Sequence, residues 1–176
     1  ISKLPVFKGQ LFVGIKYGVN GTNAAMSIAV KTVDGRIFVE SIDCRPIRAG
    51  NAWIIEFLKA SPGIGGVAID GANGQKILEE DMKEARLKAP VLPTVKQIIV
   101  ANAAFELGLE KTICHMGQPS LAQAATNCEK RAIGTNGGFG YRAQKEGVEI
   151  ALLDSVILAY WMCRESKEKK KQRISY

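Results

Sequence analysis

The sequence of 176 residues predicts one α/β domain in which helices flank a mixed central sheet. Two observations favour this class. Residues 11–17, 24–32 and 36–42 are β-prone and are joined by short turns, which indicates an antiparallel three-strand meander. The rest of the chain alternates between apolar segments with helical spacing and short apolar strands, which is typical of a sheet covered by helices.

Local signals define each strand of the meander. Residues 11–17 combine apolar and β-branched side chains, and the turn sequence VNGT follows them. Asp34-Gly35 separates the second strand from the third and is a typical tight-hairpin pair. Polar and apolar residues alternate in 36–42, as expected for a strand with one buried face.

The remaining elements follow from apolar spacing and chain breakers. Residues 51–60 form a predicted helix that ends at Ser61-Pro62-Gly63, and 65–70 form a short apolar strand suited to the middle of a sheet. The further predictions are a helix at 75–87, a strand at 91–95, helices at about 96–109 and 120–131, a glycine-rich strand or hairpin at 137–144, and a helix at about 148–164. This is the element order of the ribonuclease-H-like fold.

Composition narrows the class of function. Hydrophobic residues make up 47% of the chain, enough for a sizeable core. The formal net charge of +7 favours a polyanionic partner such as nucleic acid, and residues 164–173 (RESKEKKKQR) are strongly basic. No apolar run is long enough to span a membrane. The absence of a CxxC pair and the single histidine, His115, argue against a zinc site.

Two aspartates are candidate catalytic residues. Asp70 ends the strand 65–70, and ligands of open α/β sheets bind at the carboxyl ends of strands, although Asp-Gly is also a common turn pair. Asp154 lies in IALLDSVILAYW, a helix that is apolar on nearly every side. A buried lone carboxylate is costly unless it is paired, protonated or metal-bound, and a structural aspartate held by backbone or by a lysine is the alternative.

Carboxylate oxygens are the ligands that Mg²⁺ and Mn²⁺ prefer. Two such ions about 4 Å apart activate a water and stabilise the leaving oxygen of a phosphodiester. A two-metal site usually needs three or more acids, because the ions carry four positive charges between them. Asp70 and Asp154 are therefore predicted to share their site with a further ligand.

Four stretches resemble, in the same order, the C-terminal nuclease domain of the phage terminase large subunit, the DNA-packaging motor. They are FVGIKYGVNGTNAAMSIAV, GGVAIDGANGQ, QPSLAQAATNCEKRAIGTNGGFGY and EIALLDSVILAYW, and together they extend over most of 11–161. The resemblance implies a ribonuclease-H-like fold. It also implies an endonuclease that cuts concatemeric double-stranded DNA, with little sequence specificity, through an acidic cluster and Mg²⁺ or Mn²⁺.

Domain organisation and partners are implied in the same way. Residues 1–10 are expected to be a lead-in from a missing N-terminal ATPase domain, 11–164 the nuclease domain, and 165–176 a basic C-terminal tail. The implied partners are double-stranded DNA, the ATPase domain of the same protein, the portal and the small terminase subunit. The implied location is the host cytoplasm.

The resemblance assigns site residues one by one, and one assignment fails. The central-strand acid of the family falls on Asp70 and the last-helix acid on Asp154, but the first-strand position holds Lys16, and a later turn position holds Asn20. Three alternatives stay open: Asp43 or another acid completes the site, Asn20 and waters complete a weak one-metal site, or the site is impaired. For Lys16 itself the alternatives are contact with a DNA phosphate and a salt bridge with Asp70.

Basic residues flank the glycine-rich loop IGTNGGFG. Lys130 and Arg131 precede it and Arg142 follows it. A hairpin with these cations suits sequence-independent contacts to DNA phosphates. The alternative is an ordinary glycine-rich turn with a solvated cationic rim.

Two other functions fit the same residues. A different ribonuclease-H-like nuclease, such as a Holliday-junction resolvase, would share the acids and differ in the surface that holds DNA. A catalytically impaired DNA-binding or motor-docking module would keep the fold without a complete set of acids.

Overall fold

The computed structural model describes residues 3–19, 21–109, 111–115, 128–133, 138–143 and 150–166, of which 128–133 and 138–143 are described by their backbone. The strands are β1 (Phe7–Tyr17), β2 (Asn23–Thr32), β3 (Ile37–Pro46), β4 (Ile64–Asp70), β5 (Ile113–Cys114), β6 (Cys128–Ile133) and β7 (Gly138–Ala143). The α-helices are α1 (Ala52–Ala60), α2 (Gln75–Glu84), α3 (Val95–Gly108) and α4 (Ala151–Glu165), and a short 3-10 helix covers Ile47–Ala49.

The central sheet has five strands in the order β4-β1-β2-β3-β5. Strands β1, β2 and β3 pair antiparallel, which confirms the predicted meander. Strand β4 joins β1 in parallel, and β5 joins β3 in parallel at the other edge. The predicted mixed sheet flanked by helices is therefore confirmed. Strands β6 and β7 form a separate antiparallel pair.

The two faces of the sheet carry different helices. Side chains of β1 alternate between the faces, as the period of a strand requires. Val13, Ile15 and Tyr17 lie in a core with residues of α1 and α2. Phe12 lies in the core formed with α3 and α4, and Gly14 contacts α4 directly. We call these the α1–α2 face and the α4 face.

Two local predictions differ from the structure. Residues 91–95 are not a strand, because Val91 forms only an isolated bridge with Ala68 and Thr94 caps α3 in a capping box with Gln97. The predicted helix 120–131 is wrong at 128–131, which belong to β6 and pair with β7, and 120–127 lie outside the described residues. The fifth strand of the sheet is instead Ile113–Cys114, which is too short to show a period.

The first strand extends into the segment expected to be a lead-in. Strand β1 begins at Phe7, so the last four residues of the expected lead-in 1–10 belong to the sheet. Residues 167–176 of the expected tail lie outside the described residues. No helix in the described part of the chain is long and apolar enough to cross a membrane.

Candidate metal and nucleic-acid site

A buried ion pair joins the carboxyl ends of β1 and β4. The parallel register places Lys16 beside Asp70. Lys16 Nζ donates to Asp70 Oδ2 at 2.6 Å, and the two side chains are only 9% and 19% exposed. Of the two alternatives for Lys16, the salt bridge with Asp70 is present in the structure, and DNA binding by Lys16 stays a prediction. The salt bridge lies at the end of the sheet where ligands of α/β proteins bind.

The turn after β4 holds Asp70 at the strand end. Gly71 has a φ of 113°, and a Cβ at this position would overlap the carbonyl oxygen of Tyr17. Only glycine fits both requirements. Asn73 Nδ2 donates to the carbonyl oxygen of Gly18 at 3.0 Å, so the loops after β1 and β4 are tied together. The Asp70 carboxylate is thus anchored between two fixed turns.

Helix α4 packs directly on the backbone of β1. A Cβ at Gly14 would overlap the carbonyl oxygen of Ser155 and would lie 2.5 Å from the backbone nitrogen of Ala159. Ser155 Oγ lies 2.6 Å from Ser27 Oγ of β2, and both side chains are fully buried. This contact fixes the position of α4 along the sheet.

The direction of α4 brings Asp154 to the same end of the sheet as Asp70. A Cβ at Gly66, near the start of β4, would lie 2.5 Å from Met162 Cε, whereas Ser155 lies over Gly14. The helix therefore runs opposite to β4. Lys16 lies two residues beyond Gly14 along β1, which is a rise of about 6.6 Å. One helical turn rises about 5.4 Å, so the part of α4 nearest to Lys16 is the turn before Ser155, which is the first turn of the helix.

Asp154 belongs to that first turn and is half-buried, whereas nearly all its helical neighbours are buried. The positive end of the helix dipole at this turn favours a carboxylate. Lys16 and Asp70 lie on the α4 face because they continue the alternation of Gly14 and Gly66, which contact α4. The two predicted acids therefore share one face and one end of the sheet.

A divalent cation is the group that the described oxygen donors suit. The Lys16 ammonium neutralises the charge of the Asp70 carboxylate beside it. Among the described side chains, no group of three or more acids, histidines and cysteines is arranged to hold a metal ion. The carboxylate oxygens of Asp70 and Asp154 are the kind of ligand that Mg²⁺ and Mn²⁺ prefer.

The structure does not bring Asp43 to this site. Asp43 pairs in register with Met26, whose side chain belongs to the α1–α2 core. Its carboxylate accepts from Arg45 Nε at 2.6 Å, and the Arg45 guanidinium lies 5.0 Å from the ring centroid of Trp53 in α1. Asp43 therefore lies on the face opposite to Asp70, and its prediction as a ligand of the same metal is not supported.

The other predicted site residues are less fully described. Asn20 lies outside the described residues. Lys130 and Arg131 lie on β6, where a helix was expected, and Arg142 lies on β7, within the segment expected to be a glycine-rich strand or hairpin. Their side chains lie outside the description, so DNA binding by these three residues stays a prediction.

A polar network on the α1–α2 face was not predicted from the sequence. Tyr17 Oη donates to Asn51 Oδ1 at 2.6 Å, and Asn51 Nδ2 donates to Asp81 Oδ2 at 2.8 Å. Burial, with Asp81 nearby, raises the pKa of the Tyr17 phenol well above its usual value. The network joins the end of β1 to α1 and α2, and its only sequence signal was Tyr17 at the end of a strand.

No protein-family model and no curated protein matches this chain. Solved structures of phage large terminases do match. The large terminase of bacteriophage HK97 has a TM-score of 0.67 and 13% identity, over 92% of this chain and 41% of that chain. This chain thus spans less than half of the HK97 protein.

Isolated nuclease domains match over most of their own length. The large terminase nuclease from thermophilic phage G20c has a TM-score of 0.57 and 19% identity, over 89% of this chain and 84% of that chain. The g2p (large terminase) nuclease domain from bacteriophage SPP1, solved with bound Mn, has a TM-score of 0.55 and 12% identity, over 86% and 85%. This chain has the fold of a large terminase nuclease domain.

Metal ions are present in several of these large terminase nuclease structures. The G20c nuclease has been solved with bound magnesium and with bound cobalt, and the SPP1 domain with manganese. These ions belong to the hard or borderline cations that oxygen ligands bind.

Proposed function

We propose that this chain is the metal-dependent endonuclease domain of a viral DNA-packaging motor. The observation that carries the proposal is the location of Asp70 and Asp154 on one face at the carboxyl end of β4, in a chain with the large terminase nuclease fold. The basic net charge of +7 supports a polyanionic substrate.

Each residue has a defined part in the proposed reaction. Asp70 and Asp154 would hold one Mg²⁺ or Mn²⁺, and the chemistry that such an ion would supply is polarisation of the phosphodiester and a more acidic bound water. Lys130, Arg131 and Arg142 bind DNA phosphates without regard to sequence, which positions the backbone. Gly71 and Gly14 hold the two acids in place through the β4 turn and the close packing of α4.

The proposal extends to the setting in which the domain acts. Double-stranded DNA is the substrate, and an N-terminal ATPase domain of the same protein, the portal and the small terminase subunit are the proposed partners. The host cytoplasm is the proposed location. Cutting with little sequence specificity fits a site whose DNA contacts are to the backbone.

A plasmid assay tests the proposal. Supercoiled plasmid is incubated with the protein and Mn²⁺ or Mg²⁺, alongside the variants Asp70→Asn and Asp154→Asn. We expect metal-dependent nicking and linearisation that falls at least about 100-fold in either variant, because each removes a charged ligand of a single ion. Asp34→Asn, in the exposed β2–β3 turn, is the matched control and retains full cutting. Equal cutting by all four proteins contradicts the site assignment.

The Lys16–Asp70 ion pair favours a second candidate, a DNA-binding or motor-docking module without nuclease activity. Plasmid that stays intact at high protein concentration, but is retarded in a gel, identifies that module. A four-way junction cut in preference to linear duplex instead indicates a resolvase.

A further inference from the structure

Lys16 is an unusual residue for the interior of a sheet. In the part of the chain whose side chains the structure describes, it is the only buried charged residue. Burying an ammonium is costly unless a strong partner compensates, and Asp70 is that partner at 2.6 Å. The sequence thus places a fixed positive charge on an acid at the ligand-binding end of the sheet.

We propose that the Lys16 ammonium takes the place of one cation in the acidic site. A chain with a carboxylate at this position would bind one more divalent ion than this chain does. The inference rests on the proposed function in one respect, because it takes Asp70 and Asp154 as the ligands of the remaining ion.

Geometry supports the substitution of an ammonium for a metal ion. The parallel register holds Lys16 directly beside Asp70, and on its other side Lys16 pairs with the fully buried Ala25 of β2. The ammonium therefore has little freedom to leave the carboxylate. A metal ion on Asp70 Oδ2 would lie about 2.1 Å from that oxygen, beside an ammonium that already contacts it at 2.6 Å.

Charge supports the same conclusion. The Lys16 ammonium cancels the charge of the Asp70 carboxylate, so the pair has no net charge to attract a further cation. With aspartate at position 16, two adjacent carboxylates would replace this neutral pair and would favour a further ion. The repulsion between an ammonium and a divalent ion at a separation of a few ångströms is strong at the low effective dielectric of a buried site.

Counting bound Mn²⁺ tests this inference without using DNA cutting as the readout. The whole chain is titrated with Mn²⁺ and the free ion is measured by electron paramagnetic resonance. Lys16→Asp adds a third carboxylate, and Lys16→Met removes the ammonium but keeps an apolar stem. Lys31→Met is the matched control, since Lys31 donates to the carbonyl oxygen of Ser166 just beyond the far end of α4.

We expect one Mn²⁺ per chain in the wild type and in Lys31→Met, and two in Lys16→Asp. Lys16→Met is expected to bind its ion at least about tenfold more tightly than the wild type, since the competing charge is gone. If Lys16→Asp does not fold, as judged by circular dichroism, the Mn²⁺ affinity of Lys16→Met tests the inference on its own.

Three results overturn the inference. They are two ions in the wild type, equal stoichiometry and affinity in all variants, and no bound ion in any of them. The proposed function fails separately. If Lys16→Asp binds one ion more than the wild type and neither protein cuts plasmid, the inference stands and the nuclease does not.

Discussion

Two ion pairs on opposite faces of the sheet have the same length and different surroundings. Lys16 and Asp70, on the α4 face, are 2.6 Å apart with side chains 9% and 19% exposed. Arg45 and Asp43, on the α1–α2 face, are also 2.6 Å apart, but 49% and 39% exposed. Bond length therefore does not separate a candidate functional pair from a surface pair. What distinguishes the Lys16–Asp70 pair is its burial and its position at the end of β4.

Removing the carboxylate from each pair should give the largest difference between the faces. Asp70→Asn leaves the Lys16 ammonium buried without a charged partner, which costs about 2–4 kcal/mol after allowance for partial exposure of Asp70. Asp43→Asn should cost less than about 1 kcal/mol, because the pair is solvated. Urea denaturation of both variants measures the two free energies of unfolding. Equal losses would contradict the contrast between the pairs.

Close packing of α4 gives the next effect. Gly14→Ala places a methyl group against the backbone of Ser155 and Ala159, so α4 must shift, at a cost of about 1–3 kcal/mol. The shift also moves Asp154 relative to Asp70, so plasmid cutting should fall more than stability alone explains. Urea denaturation and the plasmid assay, below the unfolding transition, separate the two effects.

Gly9→Ala is the control for this change, since nothing lies within 4 Å of a Cβ at Gly9, where the only penalty is its φ of 86°. Cutting by Gly14→Ala at the wild-type rate would show that α4 does not position the site.

How much of this contrast can be predicted from the sequence depends on whether its cause is local. The first three strands, α1 and β4 lie within a few residues of their predicted bounds, because period and turn residues are local signals. The pairing of Lys16 with Asp70 depends on a parallel register between distant strands, so the sequence left it as one of two alternatives. Strand β5, with two residues, carries no period.

Asp43 shows why the orientation of some site candidates could not be predicted from the sequence. Ser41 pairs with Ser27 and Asp43 pairs with Met26, so two steps along β3 match one step along β2. This β-bulge puts Asp43 on the face opposite to Ser41. A count of alternating residues along β3 cannot reveal an extra residue, because the bulge is defined only by the partner strand.

The smallest expected effect concerns a third ion pair, in the exposed turn between β2 and β3. Hydrogen bonds from Arg36 and then Thr32 lower the pKa of Asp34 from 3.8 to about 2. Because the folded-state pKa lies below the unfolded one, this stabilisation is complete above about pH 4 and is lost as the pH falls through 2. Asp34→Asn keeps a turn-forming residue before Gly35 and removes the charge.

The difference in urea midpoint between wild type and Asp34→Asn should therefore be constant from pH 5 to pH 7 and shrink between pH 4 and pH 2. Arg36→Met removes the largest cause of the shift, so it should lower the midpoint in the same pH range and flatten the dependence on pH. A midpoint difference that stays constant down to pH 2 would contradict this prediction, because it would mean that the charge of Asp34 does not stabilise the turn. Burial alone would then decide how much each of the three ion pairs stabilises the fold. The expected pH dependence would instead show that well-placed hydrogen bonds stabilise even a solvent-exposed pair.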